Sequence, residues 1–517
     1  MKNKILLLGA MLLMLTLGSC RQDSDTLIPY DHNDVMAFAA AQNSFAAQYK
    51  VFWNGMNQNY ALWDYEMENG LDWDAEYDKF LPRFEALDKQ EDVSNKELQE
   101  LMDEMVAPLH DGHANVSFWN YHTKTYLRSS PSNLRNSTRA DYVKVNDRIE
   151  KSMALAYMAN VKKEDVLEYY SASTHIQSMF AHILPNGATT KWVNAEIARL
   201  SSLTTPTEME VNRLFGLRSF LEEINKILPY PGQQLVQAYN ELVLKYGYLS
   251  IPGLTAISPS FVNGGVYVTY ALLKGNIVYM YLSGFYLSNY LIPENMTQMK
   301  LSGYSLEMAV AVQNTWGKWF AKIQELHQAG TLGGVIIDIR CNSGGMLTDY
   351  QYVLGALLPS GGFTTNLIRY KRGTGRLDYS PLMPQVMPTY KEDHVVVTEP
   401  IVVLADCNSV SMAEVTARSC CLIPNAHLIG KRTWGGLCGL DDNSTFSENY
   451  SGHIGVNGVT PVYVYTPQLA TFSMDGKQLE GIGIDPEIEV DLDKQLFYSA
   501  GGDTQLQRAI QFIQTGK

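Results

Sequence analysis

IVVLADCNSVSMAEVTARSC, residues 401–420, decides how this chain is read. Ile401–Ala405 is a short apolar run with β-branched residues, the pattern of a strand buried on both faces. Turn-forming residues follow from Asp406 to Ser409, and a helical pattern sets in at Ser411. Ser411 with Glu414 three residues on fits a capping box, in which the serine only starts the helix. The same place suits a nucleophile, because the free N–H groups and positive dipole end of a helix favour the anion that forms when a serine attacks a carbonyl. The local sequence leaves both readings open.

Working outward, FVNGGVYVTYALL (261–273), GNIVYMYLSGF (275–285), GGVIIDIR (333–340) and VYVYT (462–466) are further strand-like runs, with the helical MAVAVQNTWGKWFAKIQELHQAG (308–330) among them. Strands alternating with helices predict an α/β core over residues 247–495, closed by a C-terminal helix over 496–517. Residues 35–112 read as an aromatic-rich helical bundle. There, a capping box at Ser94 and Glu97 precedes Leu98, Leu101, Met102, Met105 and Val106 at spacings of three and four. Residues 113–140 read as a strand and linker. Residues 141–246, with VNRLFGLRSFLEEINKIL (211–228) broken by Pro229 and Pro231, read as a mainly helical insert.

The first twenty residues, MKNKILLLGAMLLMLTLGSC, place Lys2 and Lys4 before an apolar run too short for a lasting membrane span, the pattern of an export signal. Without them the chain keeps 38 basic and 54 acidic residues, since 40 basic residues less these two lysines leaves 38, for a net charge of −16. That balance argues against nucleic acid as a partner. Five cysteines remain beyond Cys20, none in a C-x-x-C or zinc-type spacing, and most lie in apolar stretches as buried thiols do.

Three more stretches carry candidate chemistry. In VIIDIRCNSGG (335–345) a strand runs into Gly344 and Gly345, a pair that turns tightly and can present N–H groups to an oxyanion. In LHDGHANVSF (109–118) and LEGIGIDPEIEV (479–490), His113 is a candidate base and Glu480 a candidate partner for it. His110 and His113 lack HExxH or a third ligand of evident spacing, so no metal is assigned. Neither G-x-S-x-G nor S-x-x-K occurs, which argues against an α/β-hydrolase or a penicillin-binding enzyme.

In this order, DGHANV, IDIRCNSGG, VVLADCNSVSMAE, LIGKRTWGG and EGIGIDPEIEV resemble the C-terminal processing peptidases, family 41 of the serine peptidases. The resemblance implies a crotonase-like α/β core, a polypeptide substrate and no metal or organic cofactor. It implies Ser411 of S-x-A-E as nucleophile, with Ser409 as rival, and the N–H groups of Met412 and of Gly345 or Gly344 as oxyanion donors. The lysine that serves as base in one branch of the family is replaced by Gly436. The branch resembling the tricorn core points instead to His113 as base and Glu480 as its partner, although Gly112 stands where that branch has a serine. The ending Leu17-Gly18-Ser19-Cys20 resembles a bacterial lipobox, which implies a lipid on Cys20, a tether over residues 21–34, and a place in the cell envelope, at the outer membrane of a Gram-negative bacterium. A protein that keeps this fold without the chemistry, binding peptides or a hydrophobic ligand, is the alternative.

Overall fold

A computed structural model describes chiefly residues 35–142, 165–173, 187–246, 266–293, 306–439 and 453–517, with a few brief interruptions. The export signal, Cys20 and the 21–34 tether lie outside the described residues. No helix among the described residues is long and apolar enough to cross a membrane.

The chain forms two compact units. The first gathers the described residues within 35–139, 364–386 and 434–483. Its helices are α1 (Val35–Ala41), α2 (Phe45–Asn59), α3 (Trp63–Glu68), α4 (Trp73–Leu87) and α5 (Asn95–Val106). An antiparallel sheet runs in the order His453–Ile454, Val462–Tyr465, Asn115–Asn120, Thr125–Ser129. Phe45, Tyr49, Phe52, Trp63, Trp73, Phe80 and Phe84 of the helices pack with Val116, Phe118, Val462 and Val464 of the sheet in one apolar core. The aromatic residues of the N-terminal stretch thus serve a core that includes strand residues more than 300 positions away, so the unit is not contiguous in sequence. Ser94 starts α5 as an ordinary cap, with extended backbone (φ −69°, ψ 153°) and its hydroxyl accepting from Glu97 N–H at 3.2 Å.

The second unit, residues 140–363, 387–433 and 484–517, is a mixed α/β layer structure. Its strands are β1 (Val166–Ser173), β2 (Val266–Leu273), β3 (Ile277–Leu282), β4 (Gly334–Asp338), β5 (Ile401–Ala405), β6 (Ala426–Gly430) and β7 (Ile488–Glu489). They lie in the order 7-6-5-4-3-2-1, parallel from β7 to β3 and antiparallel from β3 to β1. Every residue of β3, β4 and β5 is buried, which is why these strands read as unbroken apolar runs. Tyr279, Tyr281, Ile336, Val402, Leu404 and Ile429 pack with Leu506, Ala509 and Phe512 of the C-terminal helix Thr504–Thr515. Three helices follow β1 in the chain, α6 (Gly187–Ser201), α7 (Glu208–Ile227) and α8 (Gly232–Tyr246), and share an apolar cluster of their own around Leu217, Phe220 and Tyr239.

Because β4 and β5 are parallel neighbours, the two stretches singled out in the sequence leave the sheet at the same edge. In parallel sheets, ligands gather at that carboxyl edge. Arg340, fully buried just beyond β4, fastens this edge to the C-terminal helix. Its guanidinium meets Asp338 at 2.8 and 2.5 Å, Asp503 at 2.8 and 2.9 Å, and Gln505 at 3.0 Å.

Candidate active site

The second unit holds Ser411. Helix α9 (Met412–Cys420) begins immediately after it, and Ser411 has φ 59° and ψ −117°. An ordinary cap such as Ser94 is extended; a non-glycine residue with positive φ is strained, at a cost of roughly 1–3 kcal/mol when held in a sparsely populated region. Ser411 Oγ sits over the first turn in a capping-box arrangement with Glu414, yet without a side-chain cap hydrogen bond of ordinary geometry. The Glu414 carboxylate accepts Ser411 N–H at 3.3 Å and the Thr433 hydroxyl at 2.6 Å, while Thr433 Oγ1 accepts Ile484 N–H at 2.7 Å. Glu414 therefore ties the helix start to the turn after β6 and to the GIGIDP segment, three of the five quoted stretches.

The backbone strain has a tertiary cause. Val410 N–H donates to the Asn342 carbonyl at 2.9 Å, and Asn342 Nδ2 donates to Leu282 O at 3.0 Å, fixing the turn against the loop after β4. A Cβ on Gly344 would lie 2.6 Å from Ser411 Cβ and 2.9 Å from Met412 N. Only glycine allows this approach. Gly344 N–H is taken by Asn342 Oδ1 at 2.8 Å. Among the described residues, the N–H groups of Gly345 and Met412 make no hydrogen bond. The rival Ser409 is fully buried, its hydroxyl donating to Ile339 O at 2.8 Å and accepting Asp406 N–H at 3.0 Å.

If Ser411 were a plain cap, glycine there would cost the helix a few tenths of a kcal/mol. With φ at 59°, Ser411→Gly instead relieves strain and is expected to raise stability by about 1 kcal/mol, net of the entropy glycine adds to the unfolded chain. Ser94→Ala, at the ordinary cap, should lower it by about 1 kcal/mol. Urea denaturation of the two variants checks both signs.

His113 and Glu480 belong to the first unit. Three buried carboxylates grip the backbone of the loop His110–Ala114. Glu66 Oε1 accepts His110 N–H at 2.8 Å, and Glu480 Oε1 accepts Gly112 N–H at 2.7 Å. Asp111 Oδ1 accepts the N–H groups of His113 and Ala114 at 2.7 and 2.9 Å. The second oxygen of Glu480 accepts Leu437 and Cys438 N–H, both at 2.8 Å. Both ring nitrogens of His113 are buried and without a hydrogen-bond partner among the described residues. Burial alone pushes its pKa down to about 4, so the ring is neutral at pH 7 with a lone pair to offer. Burial also pushes Asp111 up to about 7, against the hydrogen bonds it accepts.

One ligand atom each from Asp111, His113 and Glu480 lie within 4.8 Å of one another. That spacing could admit a cation, but both carboxylates are already committed to backbone N–H groups, as structural staples are. The sequence singled out His113 and Glu480; it did not assign Asp111 or Glu66 a part, although Asp111 stands inside the quoted DGHANV. Gly112 is explained by packing: a Cβ there would lie 2.3 Å from both Gly435 O and Gly436 Cα. A serine at position 112 has no room while that backbone stays in place.

The fold and the Ser411 turn define a mixed α/β protein with a strained serine between a buried strand and a helix. Residues 295–490 match the model of peptidase family S41, and this segment contains four of the five quoted motifs. His113 lies outside the matched stretch. A tricorn-like protease C-terminal subunit of Sulfurisphaera tokodaii is 36% identical over 85 residues, 16% of this chain and only 8% of the length of that relative. The crystal structure of a peptidase-like protein from Parabacteroides merdae shares the fold, with a TM-score of 0.50 and 16% identity over 92% of this chain and 98% of that one. The mature form of a protein called CPAF aligns over 92% of this chain and 99% of its own, at 11% identity and a TM-score of 0.46.

Proposed function

We propose that the protein is a serine endopeptidase with a crotonase-like core, held at the cell envelope by a lipid on Cys20. The observation that carries the reading is the strained Ser411 at a helix start, with Met412 and Gly345 offering N–H groups that make no hydrogen bond among the described residues. In the proposed cycle, Ser411 Oγ attacks the scissile carbonyl and His113 takes its proton. The oxyanion is held by Met412 and Gly345 N–H, not Gly344, whose N–H is spent. His113 returns the proton to the leaving amine, and a water activated by the same ring then hydrolyses the acyl-enzyme. Glu480, whose oxygens are committed to backbone N–H groups, acts on the imidazolium by charge rather than by a hydrogen bond. The 141–246 insert serves substrate access in this reading.

The second reading, a binding protein without catalysis, draws on the absence of a carboxylate partner at either His113 ring nitrogen among the described residues. Labelling with a fluorophosphonate probe separates the two. A catalyst is labelled at Ser411 and loses the label in Ser411→Ala; a binding protein is not labelled at all.

A further inference from the structure

Gly345 adopts φ 145°, and its backbone is pressed against a second strap of chain. Phe285 N–H donates to Gly344 O at 2.7 Å, and Met346 N–H donates to Phe285 O at 2.7 Å, so that Phe285 and Gly345 pair as a parallel bridge. A Cβ on Gly345 would lie 2.1 Å from Phe285 O. The direction of the Gly345 N–H is therefore set by where the 285–288 strap sits.

One side chain closes this circuit. Asp349 is fully buried, and its carboxylate accepts Ser288 N–H with oxygens at 3.2 and 3.3 Å, in the first turn of the short helix Leu287–Leu291. Its own N–H donates to Met346 O at 3.1 Å. Asp349 thus grips the strap beyond Phe285 and the loop beyond Gly345 at once.

We infer that Asp349 is a positioning residue for the oxyanion donor Gly345, holding the 285–288 strap against Gly344–Met346 so that the Gly345 N–H keeps its aim. The inference rests on the serine-peptidase reading. It asks more of the molecule than a buried cap does, because a cap would affect only stability. The ionised carboxylate is the gripping form, since it offers acceptors to the strap and has no proton to place among them. Burial pushes the Asp349 pKa up to about 6, opposed by its contacts with Ser288 and Leu287, and no charged neighbour contributes. The grip is therefore present above about pH 6 and lost as the pH falls through it.

The test measures second-order rates of fluorophosphonate labelling from pH 4 to 9 on the full chain, with melting temperatures at each pH. Wild type should show an acid limb near pH 6. Asp349→Asn should label about 10- to 100-fold more slowly at pH 8, somewhat less than the loss of an oxyanion donor itself, and should lack the limb near pH 6. Any remaining fall then belongs to His113, near pH 4. Ser288→Pro, which removes the gripped N–H in a first turn that tolerates proline, should slow labelling similarly. It keeps the test alive if Asp349→Asn does not fold. Labelling within twofold of wild type in a folded variant, or an unchanged limb in Asp349→Asn, overturns the inference and leaves the function standing. An unlabelled wild type overturns both.

Discussion

Ser411→Ala is expected to abolish hydrolysis of fluorescein-casein and labelling by a fluorophosphonate probe, a fall of at least about 10⁴-fold, with a melting temperature within a few degrees of wild type. The expected loss is large because the rival hydroxyl in the same turn, that of Ser409, is not free to take over. Ser409 is buried and its oxygen is occupied on both sides, by Ile339 O and by Asp406 N–H. The fold survives because Ser411 supplies no side-chain cap hydrogen bond of ordinary geometry, and the Glu414 brace to Thr433 remains. His113→Ala belongs to the same experiment: the proposed relay predicts a comparable loss of turnover without its base. Undiminished labelling of Ser411→Ala would remove this serine from the chemistry; full activity of His113→Ala would remove only the histidine.

The second large effect is on stability. Arg340→Met is expected to destabilise the protein by about 3–5 kcal/mol, because it strips the guanidinium counter-charge from two buried carboxylates. Asp338 and Asp503 are both fully buried, and Arg340 is their shared partner. Asp503 also caps the C-terminal helix, accepting Leu506 N–H at 3.0 Å, so the helix start is loosened together with the edge of β4. Arg340→Met combined with Asp338→Asn and Asp503→Asn should recover much of the loss, since the cost lies in the stranded charges. Chemical denaturation measures both variants. A loss below about 1 kcal/mol for the single variant would show that the cluster takes up water and disperses its charge.

These two outcomes come from different levels of the molecule. The strand at 401–405, the helix after Ser411 and the glycine pair after the 335–338 run are legible in the chain, because local rules decide them. β-branched apolar runs bounded by turn residues form buried strands, and paired glycines mark a tight turn. Four of the five motifs fall within residues 295–490, the segment that matches the model of peptidase family S41.

Composition of the first unit was not legible. Val462 and Val464 pair with Val116 and Phe118 across more than 300 residues, and nothing local to either strand names its partner. Nor could the sequence choose between Gly344 and Gly345, since the choice depends on the reach of the Asn342 side chain.

The amino-acid sequence by itself determined where the buried strands, the glycine turn and the helix start fall, since these follow from periodicity and turn chemistry within a few residues. Only the tertiary structure shows that Ser411 departs from the extended geometry of an ordinary cap. Its φ of 59° is held by the Val410–Asn342 hydrogen bond and the close approach of Gly344, contacts across about seventy residues that no local propensity encodes.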